Sequence, residues 1–307
     1  MDFTSIAKKL ETICAINIVP FNEGTKEIDW QGVEENIEFL LENDTEVIVP
    51  NGNTGEFYAL TLDEAKEVAR KVIKLINGRA TVVAGVGYSV ETAIELGKDA
   101  QEAGADCVMI HQPIHPFITT EGAISYFKKI MEALDIPSII YFKNPNLSDD
   151  VIKELASLKK FIGVKYAIND LPRFTQVVRE VPKEHNLAWI CGTAEKWAPY
   201  FYYAGAKGFT SGLINIYPSS SQKMLTALRD ADDETVWNIW NEVIGFENLR
   251  AKHHDGNNVV VIKEAMEEVG LRAGVTREPV SPLNEADKEE VRGILRSWNM
   301  LKEEVKN

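Results

Sequence analysis

Cysteine is scarce in this chain. Cys14, Cys107 and Cys191 are the only three among 307 residues, each in a different apolar run, and no CxxC or other metal-ligand spacing joins them. That absence argues against a disulfide framework and a thiolate metal site, and buried reduced thiols are the expectation. Basic charge is short as well: 33 Lys and Arg stand against 47 Asp and Glu, a formal net charge of -14 with a pI near 4.9. Phosphate backbones need a dense basic face, so no nucleic-acid partner is expected. No apolar run approaches the length that spans a bilayer, and the opening MDFTSIAKKLETICAINIVP shows no long apolar segment behind a basic start. Neither a membrane partner nor a secretion signal is expected. The reading is a cytoplasmic protein that handles small molecules; an anionic one would need local donors inside a globally negative surface.

What is present has a regular order. Hydrophobic residues make up 45% and charged residues 26% of the chain, ordinary values for a folded protein with a large core. Eight short apolar, β-branched runs recur: ICAINIVPF, EVIVPN, TVVAGVG, DCVMIHQ, PSIIYFK, FIGVKYA, LAWICGT and AKGFTSGL. Segments with helical spacing lie between them, among them DWQGVEENIEFLLEN, TLDEAKEVARKVIKLING and SVETAIELGKDAQEAGA. Thr61 and Ser148 are expected N-caps ahead of acidic residues, and Gly78 and Gly104 stand where helices should stop. Eight strand-helix units in roughly the first 230 residues fit a closed (β/α)8 TIM barrel. An open doubly wound sheet competes, but the first turn carries no GxGxxG, and the glycines of NGNTGEF follow the second run. After Asp230 the alternation ends and helical segments follow, with REPVSPL as a linker before the last. The expected organisation is a catalytic barrel over 1–230 and a helical C-terminal extension over 231–307 packed on it.

Catalytic groups of such a barrel sit at the C-terminal ends of its strands. Those ends offer Asn51 to Glu56, Gly87 with Tyr88, His111 to His115, Tyr141 to Asn144, Lys165, Gly192 with Thr193, and Ser211. Lys165 in FIGVKYAIND is the one that demands a reason. Either it reaches solvent or a neighbouring carboxylate, or it faces the barrel interior, where desolvation favours the neutral amine. A neutral amine attacks ketones, and the resulting imine allows carbon–carbon bonds to form or break, or water to leave, without a metal. Tyr141 ends the preceding strand, within reach as a proton carrier or as a packing residue. NGNTGEF is a turn whose amides are able to point inward together and hold a carboxylate.

Taken together, G-x-T-G-E after the second strand, a tyrosine closing the fifth and G-[VI]-K in the sixth resemble the dihydrodipicolinate synthase and N-acetylneuraminate lyase family. The similarity runs nearly end to end, through AGVG, AGA, FTSGLIN and REPVSPL. The resemblance implies a class I aldolase-type barrel that needs no metal and no other cofactor, in which Lys165 forms a Schiff base with pyruvate or another 2-oxo acid and Tyr141 shuttles the proton. It further implies that Gly52, Asn53 and Thr54 hold the carboxylate, that Gly192, Thr210 and Ser211 line the pocket, and that the chain forms a homotetramer.

Three positions depart from the synthase pattern. Asn53 stands where the synthase resembles GTTGE with a hydroxyl. His115 stands in HQPIHPFITTEG at the position of the tyrosine that a neighbouring subunit contributes, and Asn146 in YFKNPN at that of the arginine for the second carboxylate. Lys143, two residues beyond Tyr141, is the expected replacement cation, a spacing similar to the 5-dehydro-4-deoxyglucarate dehydratase branch. His115 or His111 is expected at the distal end of the substrate. The preferred reading is therefore a keto-deoxy sugar acid dehydratase or aldolase, with a dihydrodipicolinate synthase condensing pyruvate and aspartate semialdehyde as the alternative. Two further alternatives are a catalytically silent 2-oxo acid binding barrel, and a metal-dependent one built on His253, His254 and Asp255, the only local cluster of ligand types. The latter lies in the extension, away from the strand ends, and reads better as a solvated or pocket-rim loop.

Overall fold

A computed structural model describes residues 3–301. Residues 1–2 of the expected barrel and 302–307 of the expected extension lie outside the described residues. Eight parallel strands close into one barrel: β1 (Ile13–Ala15), β2 (Val47–Ile48), β3 (Thr81–Val86), β4 (Cys107–Ile110), β5 (Ser138–Phe142), β6 (Phe161–Tyr166), β7 (Ala188–Cys191) and β8 (Gly208–Ser211). Each pairs with the next, and β8 pairs with β1 through Cys14 and Thr210. Every strand residue is buried, as parallel strands covered on both faces require. This is the expected TIM barrel.

Helices alternate with the strands: α1 (Thr4–Lys9), α2 (Trp30–Glu42), α3 (Leu62–Ile76), α4 (Val90–Ala103), α5 (Thr120–Ala133), α6 (Asp150–Leu155), α7 (Leu171–Glu180), α8 (Ala194–Ala204) and α9 (Pro218–Asp230). Thr61 caps α3 in a reciprocal box with Glu64. Ser148 lies one residue outside its expected place: Asp149 is the N-cap of α6, and Ser148 accepts from the Asp150 amide at 3.1 Å. Gly104 is the left-handed C-cap of α4, and Gly78 follows Asn77, which takes that role in α3. After α9 come α10 (Asp233–Arg250), a short α11 (Lys252–Asp255), α12 (Asn258–Glu268) and α13 (Glu285–Ser297). Among the described residues no helix is long and apolar enough to cross a membrane.

Two apolar layers result. The larger lies between sheet and helices. The smaller fills the barrel with Cys14, Val47, Val83, Cys107, Met109, Ile139, Ile162 and Ile190, and is closed below by Ala7 and Leu10 at α1. All three cysteines are free and buried.

One irregularity positions the chemistry. Ser138 pairs with Phe161 but Ile139 pairs with Gly163, so β6 holds one extra residue, a bulge at Ile162. Ile162 packs in the inner layer and Val164 and Tyr166 in the outer one. Strict alternation from Ile162 would send Lys165 outward; the bulge returns it to the inside. Gly163 makes this possible, because a Cβ there would meet the Ala188 carbonyl oxygen at 2.8 Å and the side chains of Ala188 and Ile139 at 3.1 Å.

Candidate active site

Past the bulge, Tyr141 and Lys165 are direct register partners on the inner face of β5 and β6. The Lys165 Nζ sits 4.2 Å from the Tyr141 ring centroid, and the lysine is 4% exposed. No carboxylate lies within ion-pair distance of it among the described residues. Burial brings its pKa down from 10.5 to about 8, with the Lys143 charge adding to the shift and the Cys14 and Cys191 thiols opposing it. The phenol moves the other way, up to about 12, through burial first and then the negative charge of Asp255; a hydrogen bond from Asn53 opposes this. The Cys14 and Cys191 thiols are also pushed up to about 12 by burial. Of these groups, the Lys165 amine reaches its nucleophilic, unprotonated form most readily near neutral pH.

A cavity of about 450 Å³ opens above this pair, at the C-terminal face of the barrel. Ile16, Asn53, Thr54, Tyr141, Lys165, Gly192 and Thr210 line its inner part, and Lys143, Asn169, Thr193, Lys196 and Trp197 are further out. Another depression, of about 520 Å³, lies at the opposite face among Lys8, Glu11, Arg79, Asp106 and Arg229. No strand end points a nucleophile there, so the chemistry belongs to the first cavity.

The loop after β2 supplies free donors. Within it, the amides of Gly55 and Phe57 bond to the Gly52 carbonyl and that of Glu56 to the Asn53 carbonyl. The Asn53 and Thr54 amides meet no acceptor among the described residues, and both residues line the cavity. Neutral amides beside Lys165 answer the need for an anion site in an acidic protein. Asn53 donates from Nδ2 to the Tyr141 hydroxyl at 3.5 Å. Glu56, left-handed at φ 54° and 5% exposed, anchors the loop from behind: its Oε1 is 2.6 Å from Lys263 Nζ on α12, and its Oε2 accepts from the Arg277 amide at 2.9 Å.

Several residues expected at the cavity lie elsewhere in this chain. His115 is exposed on the loop after β4, where its Nδ1 accepts from the Phe117 amide at 3.1 Å, and it does not line the cavity of its own chain. His111 is fully buried behind the wall, stacked on Phe57 at 4.5 Å and donating from Nε2 to the Asn51 carbonyl at 2.8 Å. Burial pulls its pKa down to about 3, so it is neutral and structural. Ser211 is turned away from the cavity: its hydroxyl donates to Glu195, which Ser221 also contacts, in a buried polar layer behind β8. Gly52 lies behind Ile16, whose Cγ2 is 2.3 Å from where a Cβ would stand, and acts through its carbonyl. Asn146 does not reach the cavity, whereas Lys143 does.

Sequence reasoning missed the outer wall. Glu247, Arg250, Asp255 and Asn258 come from the extension and line the same cavity. Arg250 is bound by Glu247 at 2.6 Å and by Asn258 Oδ1 at 2.8 Å. No strand-end rule points to a C-terminal helix; the reading of 253–255 as a solvated or pocket-rim loop was the nearest signal.

Comparison with known proteins places this geometry. Residues 9–298 match the model of the dihydrodipicolinate synthetase family. The 4-hydroxy-tetrahydrodipicolinate synthase of Methanoculleus marisnigri is 32% identical over 291 residues, covering 93% of this chain and 98% of that protein. That of Methanocaldococcus jannaschii is 31% identical over 290 residues, with 92% and 97% covered. Among solved structures, dihydrodipicolinate synthase from Oceanobacillus iheyensis is 65% identical with a TM-score of 0.96, covering 98% of this chain and all of the other. The protein of that name from Bacillus clausii is 56% identical, with a TM-score of 0.95 and 96% and 99% covered.

Proposed function

The chain belongs to the dihydrodipicolinate synthetase family, and from that membership together with the pocket we propose a Schiff-base lyase that activates pyruvate, or another 2-oxo acid, on Lys165. Members of the family are lyases of the class I aldolase type. The observation that supports this reading is the inward register pair of a lysine at about 8 and a phenol that keeps its proton at neutral pH. The neutral Nζ adds to the C2 carbonyl, and loss of water leaves an iminium. Removal of a C3 proton then gives an enamine whose carbon attacks an aldehyde. In the reverse sense, or in a dehydration, the iminium draws the electron pair of the breaking bond. Tyr141 is the proton donor and acceptor in this scheme, and the Asn53 and Thr54 amides hold the carboxylate.

For the second substrate, the names of the relatives favour the condensing reading that sequence analysis placed second: pyruvate joined to aspartate semialdehyde. We adopt it as the first reading. A keto-deoxy sugar acid dehydratase or aldolase stays as the second, favoured by one specific contact. Where the synthase pattern has a hydroxyl, Asn53 places an amide against the Tyr141 oxygen, and an amide orients a phenol without relaying its proton.

Borohydride reduction in the presence of pyruvate, followed by peptide mass mapping, tests the common step. A stable adduct on Lys165 is expected, and no adduct would overturn the Schiff-base reading and reopen that of a silent binding barrel. Turnover of pyruvate with aspartate semialdehyde, set beside turnover of a keto-deoxy sugar acid, then separates the two lyase readings. The proposal includes a cytoplasmic homotetramer; exposed Phe117 and Ile114 on the loop after β4, at 85% and 59%, support burial against another copy. Sedimentation at the single-chain mass would overturn that assembly.

A further inference from the structure

Three consecutive residues of α11 hold a left-handed backbone: His253 at φ 57°, His254 at φ 55° and Asp255 at φ 67°. None is glycine, and each Cβ crowds the carbonyl that follows it. Such a turn persists only where its surroundings over-determine it.

One buried carboxylate does so from both sides. Lys252, just before the turn, donates from Nζ to Asp287 Oδ1 at 2.8 Å; Asn257, just after it, donates from Nδ2 to Asp287 Oδ2 at 3.3 Å. Asp287 is 6% exposed in the first turn of α13, where Asn284 Nδ2 also donates to it at 3.0 Å. The two ends of the turn are thus tied to one side chain.

What the clamped turn delivers is Asp255, to the outer wall of the cavity. Among the described residues Asp255 forms no ion pair and no side-chain hydrogen bond, and neither does the Lys143 ammonium in the same cavity. The other charges there are already engaged: Arg250 with Glu247 and Asn258, and Lys196 with Asn248 at 2.8 Å. Lys143 and Asp255 are therefore the charged side chains of the outer cavity that have neither an ion pair nor a hydrogen bond among the described residues.

We propose that Asp255 binds the half of the substrate remote from the imine, accepting from an ammonium or hydroxyl beside a carboxylate that Lys143 holds, and that Asp287 is the positioning residue for it. This rests on the Schiff-base reading of Lys165. An amino-acid aldehyde and a sugar acid share that chemistry, and the charge of Asp255 tells them apart.

The experiment uses Asp255→Gly, which eases the backbone and removes the carboxylate, Asp255→Asn, which keeps a residue tolerant of left-handed φ, and Asp287→Asn. Pyruvate trapping on Lys165 needs only the inner cavity and is the internal control. With trapping intact, KM for the second substrate in Asp255→Gly is expected to rise roughly 10- to 100-fold, and in Asp287→Asn by a smaller factor, with kcat changing less. Asp255→Asn is expected to lose nearly as much as the glycine variant for an ammonium substrate and to retain most binding for a hydroxylated one. An unchanged KM in Asp255→Gly would overturn the proposal. Loss of trapping in the variants, in step with turnover, would also overturn it by showing a general effect on the fold. A wild-type protein that traps nothing would instead sink the Schiff-base reading, and this proposal with it.

Discussion

At the scale of the residue, Lys165 is both the proposed reactive group and a burden on the fold. Below pH 8 its amine is charged in the folded and unfolded chain alike, so the fold carries the whole desolvation cost. That cost is on the order of 3 kcal/mol for a shift from 10.5 to about 8; it fades as pH rises from 8 to 10.5 and is absent above. Lys165→Met is therefore expected to abolish trapping while raising the unfolding free energy at pH 7 by roughly 1–3 kcal/mol in urea denaturation. In the wild type, the rate of imine formation is expected to climb with pH as the amine loses its proton, half-maximal near 8 and about a hundredfold below its plateau at pH 6. Trapping rates across that range check it, and a flat profile would contradict an amine at about 8. Lys165, Tyr141, Asn53, Thr54, Lys143, Gly192 and Thr210 were legible in the sequence because strand ends of a barrel converge on one face. Ser211 was misplaced for a physical reason: a residue number near a strand end does not say which way the side chain turns.

At the scale of the element, alternation alone would have misjudged β6. Counting by twos from Ile162 points Lys165 at the helices, and the bulge that reverses it leaves no mark in the sequence beyond Gly163. The loop after β2 shows the same limit. Its glycines announce a turn, but the Glu56–Lys263 pair that anchors it joins residues 207 positions apart. Both side chains are 2% exposed, and breaking such a pair strands a charge. Lys263→Met is expected to cost about 3–5 kcal/mol of stability and to raise KM for the 2-oxo acid, whose proposed carboxylate site rides on this loop. Glu56→Gln with Lys263→Met should recover much of the stability, leaving a coupling of roughly 1–3 kcal/mol in a double-mutant cycle. Additive losses would show that the two side chains act separately.

At the scale of the whole molecule, barrel and extension share one cavity: the barrel provides Lys165 and Tyr141, and the extension part of the outer wall. The eightfold alternation was readable because each strand is buried on both faces and each helix is amphipathic. The contribution of the extension to the site was not, since nothing in a helical pattern says where its ends dock. The three scattered cysteines have a use in this setting. Cys14 and Cys107 lie inside the barrel and Cys191 beneath α8, all fully enclosed and with thiols held protonated. A soluble thiol reagent therefore has no target while the barrel is closed, and modification waits for an opening event. Labelling in buffer is expected to be slow at all three sites and to accelerate in mild denaturant in proportion to the unfolding equilibrium; prompt labelling of any one would reveal a breach local to its strand. The chain thus carries its own clock for how often the barrel breathes.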